Sequence, residues 1–171
     1  YHSMNVLLLF AWFLRLSGNR RASALMAAVF AIHPLQLEAV AWITARKDVL
    51  STFFALCSLH FYSSYASTNR FRLGNYLLSF VSFFLGIMAK PMIAVLPLLF
   101  LLLDRYLYRR NNILRAVFEK IPFFLLSALA SYLYIFGQSG NVERLSLNVM
   151  ILNAPVVCMR SLLKFFSPIN L

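Results

Sequence analysis

The chain alternates long apolar runs with short polar breaks. The runs cover residues 6–16, 22–32, 49–65, 76–89, 92–103, 121–136 and 145–166. Runs of this kind are how membrane-spanning helices read in a sequence. Several fall short of the roughly 20 residues that cross a full hydrocarbon core. Such runs must tilt, extend through flanking residues, or border a thinned bilayer or water-filled crevice. The breaks carry turn and stop signals. Ser17-Gly18-Asn19-Arg20-Arg21 is a basic turn, and His33-Pro34 ends a helix because proline cannot continue the backbone ladder. Pro34 opens a short amphipathic stretch, 35–43. Asp48 is placed to cap the helix after it. Ser67-Thr68-Asn69-Arg70-Phe71-Arg72 is a second basic turn, Lys90-Pro91 interrupts a greasy run, and 104–120 is a longer basic connection. The expected architecture is all-α and polytopic, with about six spans. The final run, 145–166, is either a seventh span or a surface helix. Arg160 and Lys164 share one face of it, which favours the surface helix.

Residues 73–103 could form one helix about 45 Å long or a hairpin broken at Lys90. Only the hairpin puts both basic flanks on one side of the membrane, as the positive-inside rule prefers. Arg15, Arg20, Arg21, Arg70, Arg72, Arg105, Arg109, Arg110, Arg115 and Lys120 then share the cytoplasmic side. The other side receives 33–48, Lys90 and 137–144.

Composition changes this picture little. The chain has 171 residues, 61% of them hydrophobic, which exceeds the usual soluble level. A net charge of +11 raises nucleic acid as a partner. The basic residues lie in loops between apolar runs, however, where lipid headgroups account for them, so nucleic acid is rejected. Cys57 and Cys158 have neither CxxC nor metal-ligand spacing and read as packing residues. The chain reads as a fragment cut at both ends.

Ionisable groups at membrane depth are costly, which makes them functional candidates. Six gather on the outer side: His33, Glu38, Arg46, Lys47, Asp48 and Lys90. Each also has a plainer reading. His33 can close a helix, Glu38 can face solvent, Asp48 can be a cap, and Arg46 and Lys47 can snorkel to headgroups. Lys90 is hardest to explain away, since no acid adjoins it in sequence. A cation there suits an anion presented at the membrane, such as a lipid phosphate. His60 on its apolar helix reads as packing, and Tyr106 and Tyr108 fit an interfacial belt.

The run His33-Pro34-Leu35-Gln36-Leu37-Glu38-Ala39-Val40-Ala41-Trp42 and the following Arg46-Lys47-Asp48-Val49-Leu50 resemble a signature of bacterial membrane proteins with C-terminal TPR repeats. Those proteins are similar to the eukaryotic transmembrane-and-TPR O-mannosyltransferases. Ala89-Lys90-Pro91-Met92 with Leu96-Pro97 and Leu103-Asp104 resembles the next family block, and Glu119-Lys120-Ile121-Pro122 a third. The resemblance implies a GT-C glycosyltransferase membrane domain, partial over residues 1–171, with the first span, its catalytic loop and the TPR region lying outside this sequence. It implies sugar transfer from a polyprenyl-phosphate carrier to a hydroxyl, often of a protein, at the non-cytoplasmic face of a bacterial inner membrane. The catalytic base is then expected upstream of Tyr1, and this fragment alone is expected to be inactive. Arg46, Lys90, Lys47 and His33 would hold the donor phosphate, while Glu38 and Asp48 would orient the cations or contact sugar. The expectation includes no cofactor and leaves a divalent metal open. Pro91 stands where the eukaryotic enzymes have an acid, and Gln36 where a histidine is common. The alternatives are a transporter or flippase for a lipid-linked or anionic substrate, and a non-catalytic anchor for TPR-mediated assembly.

Overall fold

A computed structural model describes residues 2–33, 46–67, 73–107 and 113–138, with isolated positions 153, 155, 156 and 159. The described α-helices are α1 (His2–Ser17), α2 (Arg20–Ile32), α3 (Arg46–Ala66), α4 (Leu73–Ala89), α5 (Leu96–Leu102) and α6 (Ile113–Gln138). A 3₁₀ turn, Pro91–Val95, leads into α5, and a π-helical turn, Leu103–Leu107, follows it. No strand occurs among the described residues. Glu38, the amphipathic stretch 35–43, the segment after α6 and the 145–166 helix fall outside them, apart from the isolated positions.

Local chemistry sets the breaks. Gly18 takes a left-handed φ of 65° between α1 and α2, a conformation glycine adopts without steric cost. Asn19 caps α2, its side-chain oxygen accepting from the Arg21 and Ala22 amides. Before Pro91 the α conformation is disfavoured. Lys90 is accordingly extended, at φ −158° and ψ 123°, and α4 stops at Ala89. Residues 73–103 are therefore two segments and not one helix.

Helices α3 and α4 form an antiparallel hairpin packed through small residues. Ser58 Oγ donates to the Ser79 carbonyl at 2.8 Å, and Ser79 Oγ donates back to the Ser58 carbonyl at 3.0 Å. Further along, a Cβ on Gly86 would lie 3.3 Å from Phe54 Cβ and 2.9 Å from Ile93 Cδ1, so glycine permits the approach. The chain then returns past α3, with Lys90 beside Asp48 and Asp104 beside Tyr62. On the other flank of α3, α1 runs parallel to it. Asn5 Nδ2 donates to the Val49 carbonyl at 2.9 Å, and Trp12 Nε1 donates to Ser63 Oγ at 3.0 Å. Helix α6 closes the core through Phe123, which is fully buried against the rings of Tyr76, Phe80, Phe83 and Phe100.

The expectation of about six spans is overturned. Only one described helix, over Ala116–Gly137, is long and apolar enough to cross a membrane. Helices α1, α2 and α4 have 16, 13 and 17 residues, which at 1.5 Å per residue is less than the core thickness of about 30 Å. Helix α3 has 21 residues but starts on Arg46-Lys47-Asp48 and carries Ser51, Ser58, His60, Ser63 and Ser64. The run 92–103 is divided between a 3₁₀ turn and a seven-residue helix. Helix α6 keeps most of its apolar surface outward: Phe118, Leu125, Leu129, Tyr132 and Phe136 are all exposed. That one helix gives limited support for membrane association.

Burial pushes the His60 imidazole below its ordinary value, and the Arg15 charge pushes the same way. Its buried Nδ1 has no hydrogen-bond partner among the described residues. The unfolded chain therefore holds this proton more tightly than the folded one. The neutral ring's contribution is complete above the unfolded value of about 6.5 and is lost as pH falls below it. Denaturation midpoints should decline as pH falls below about 6.5. His60→Gln should remove part of that decline; an unchanged pH profile in the variant would refute the assignment.

Candidate functional site

The antiparallel pairing of α4 with α3 sets Lys90, just past the end of α4, against the first turn of α3. Its ammonium lies 2.6 Å from Asp48 Oδ1, and both side chains are about a third exposed. The contact is ionic without hydrogen-bond geometry, since Asp48 Oδ1 receives no hydrogen bond among the described residues. Solvent screening at that exposure leaves such a pair worth roughly 0–1 kcal/mol. A pair of that strength leaves Lys90 able to turn to a stronger anion.

Lys47 and Lys90 line a cleft of about 450 Å³. Ala89, Pro91 and Met92 form one wall, and Ser131, Tyr134 and Ile135 of α6 form the other. A second cleft, of about 370 Å³, lies across the ion pair and is bounded by Ser51, Thr52, Ala55, Leu56, Met92 and Ile93. The Ser51 and Thr52 hydroxyls both donate to the Asp48 carbonyl at 3.0 and 2.8 Å, so they hold the turn that carries the carboxylate.

Helix α3 is described from Arg46, so Asp48 lies within its first turn and not ahead of it as a cap. A carboxylate is still favoured there by the helix dipole. Arg46 is exposed and lines neither cleft. His33 closes α2, its amide donating to the Val29 carbonyl at 3.0 Å. It shares this end of the molecule: His2 stacks on Phe30 near the end of α2, and Asn5 bonds the start of α3. Thus Lys47, Asp48 and Lys90 come together, with Arg46 and His33 at the same end. Glu38 lies outside the described residues. Among these, no group of three or more His, Cys, Asp or Glu could hold a metal ion.

The sequence reading missed Ser131 and Tyr134, since neither adjoins a charged motif. It also passed over a polar cluster at the opposite end. Asp104 Oδ2 accepts from Tyr62 Oη at 2.7 Å and from Lys120 Nζ at 2.5 Å. Lys120 Nζ also donates to the Ala116 carbonyl at 2.9 Å and sits 5.1 Å from the centre of the Tyr62 ring. Lys120 is fully buried and Asp104 nearly so. An acid closing one apolar run, and Lys120 beside Glu119 just before the next, were the available signal.

Comparison with protein-family models, curated proteins and solved structures finds no match to this chain.

Proposed function

We propose that this chain forms part of a membrane-associated glycosyltransferase that uses a polyprenyl-phosphate sugar donor. The observation that carries the reading is the cleft where Lys47 and Lys90 meet an apolar wall. A polyprenyl phosphate is an anion joined to a greasy chain. Lys47 and Lys90 suit its phosphate, and Met92, Pro91 and Ile135 suit the first isoprenyl units. Arg46 adds positive charge at the same end, and His33 lies there too. The sequence resemblance to O-mannosyltransferase-like membrane proteins supports the same class, with a protein hydroxyl as acceptor, the site facing the non-cytoplasmic side, and TPR repeats elsewhere in the polypeptide.

In this reading the acceptor oxygen forms a bond to the sugar's anomeric carbon as the bond from that carbon to the phosphate oxygen breaks. The acceptor proton passes to a carboxylate base. The electron pair leaves with the polyprenyl phosphate. Lys90, released from Asp48, and Lys47 stabilise the charge growing on that leaving group. Asp48 holds Lys90 in place between turnovers.

The test uses the full-length polypeptide in nanodiscs with radiolabelled polyprenyl-phosphate sugars and secreted-protein peptides. Label should move to peptide, and Lys90→Ala should slow transfer by about 10²-fold, the usual loss for one stabilising donor. Arg46→Ala, away from the cleft, should cost less. Wild-type rates in both variants would sink the assignment, as would the absence of transfer from every donor.

A further inference from the structure

A separate cleft opens at the other end of the molecule, between α5 with its π-helical turn and the start of α6. It measures about 540 Å³, with walls of Leu98, Leu101, Leu102 and Val117. Asp104, Arg105 and Tyr106 also line it. Arg105 and Tyr106 are exposed, whereas Asp104 is buried on Lys120. The carboxylate's charge is thus offset inside the protein, and Arg105 sets the sign at the mouth.

We infer that this cleft binds an anionic phospholipid, with an acyl chain along Leu98, Leu101, Leu102 and Val117 and its phosphate on the Arg105 guanidinium. Three observations point to that occupant. The groove is apolar along its length and cationic at one end, which matches a lipid with a charged headgroup. It lies where α6 begins, and Ala116–Gly137 of α6 is the one described segment able to cross a membrane. The groove mouth therefore falls at headgroup depth, where arginine and tyrosine are the usual anchors. Exposed Arg15, Arg20 and Arg21 belong to the same end, because Arg15 donates to Ser64 and Ser67 at the end of α3, beside the Tyr62–Asp104 contact. Basic residues at this end of the molecule favour anionic over zwitterionic lipid. Guanidinium binds a phosphate through two parallel N–H donors, which neither a lone lysine nor a neutral side chain reproduces. This site is distinct from the Lys47–Lys90 cleft and does not depend on the transferase reading.

The test puts the full-length polypeptide in phosphatidylcholine nanodiscs with trace phosphatidylglycerol carrying a photoactivatable group on its acyl chain. After irradiation the labelled peptides are mapped by mass spectrometry. Label should concentrate on the peptide spanning 98–107, and unlabelled phosphatidylglycerol should compete where phosphatidylcholine does not. Arg105→Gln should lower that label by about tenfold, as for loss of a charged hydrogen bond, with the circular dichroism spectrum unchanged. Leu102→Trp, which fills the groove from an exposed position, should lower it too. Lys90→Gln, at the other end, should leave it untouched. Equal labelling by a phosphatidylcholine probe, or label unchanged in Arg105→Gln, would overturn the proposal.

Discussion

Lys120→Ala should destabilise the protein by about 3–5 kcal/mol, the range for removing one partner of a buried ion pair. The reason is where the charge is left. Lys120 is fully buried and its ammonium rests on Asp104 Oδ2, an oxygen that also accepts from Tyr62. Truncation takes away that cation and opens a cavity, while the carboxylate stays in the interior, where losing a partner charge is expensive. Three elements feel the loss, because Tyr62 is on α3, Asp104 is in the π-helical turn and Lys120 is on α6. Tyr62 also stacks on Phe100, with ring centres 4.1 Å apart. Denaturation midpoints in a fixed detergent or nanodisc would give the number. The double variant Asp104→Leu with Lys120→Met should recover most of it, since an apolar pair of similar volume often does as well as a buried ion pair. A single-variant loss under about 1 kcal/mol, the range of exposed pairs, would mean that water reaches the pair.

That cluster shows what could be read from the sequence and what could not. Asp104 and Lys120 bound a stretch of arginines, and by sequence they read as two more loop charges. Nothing local says that residues 90–104 fold back along α3 and carry Asp104 onto Tyr62. The reversal itself was legible: Pro91 bars the α conformation at Lys90, and the structure breaks there. The grouping of Arg46, Lys47, Asp48 and Lys90 at one end follows from the antiparallel pairing of α3 and α4, and His33 joins it at the end of α2. The Asp48–Lys90 contact was not legible, since no acid adjoins Lys90 in the chain. Ser131 and Tyr134 were invisible for the same reason: only packing of α6 brings them to the cleft.

The number of spans failed on physical grounds. Apolar runs were counted as crossings, yet a run must also be long enough and uninterrupted. The serines of α3 suit a helix packed closely on a neighbour, as Ser58 and Ser79 do, and they dilute its hydrophobicity. Proline divides residues 91–102 into a 3₁₀ turn and a short helix. Among the described helices, only α6 combines length with unbroken apolar character, despite Pro122 within it.

Phe123→Ala is the second large effect expected, at about 3–5 kcal/mol for a buried phenylalanine. Phe123 has no exposed surface. Its ring lies 5.2–5.6 Å from those of Tyr76, Phe80, Phe83 and Phe100, mostly in the edge-to-face arrangement that aromatic pairs favour. These contacts fasten α6 to α4 and α5 midway along the bundle. Truncation leaves a cavity that four large rings cannot collapse into without leaving their rotamers. The Tyr76 hydroxyl, which donates to the Glu119 carbonyl at 2.7 Å, still ties the start of α6. The loosening should therefore show further along the helix, where Ser131, Tyr134 and Ile135 wall the Lys90 cleft. Hydrogen exchange should rise in residues 124–137 more than in α3, and any sugar transfer should weaken through donor affinity before turnover. Phe123→Leu, which keeps most of the volume, should cost less than half as much. Equal losses in the two variants would mean that ring contacts, and not the cavity, set the energy.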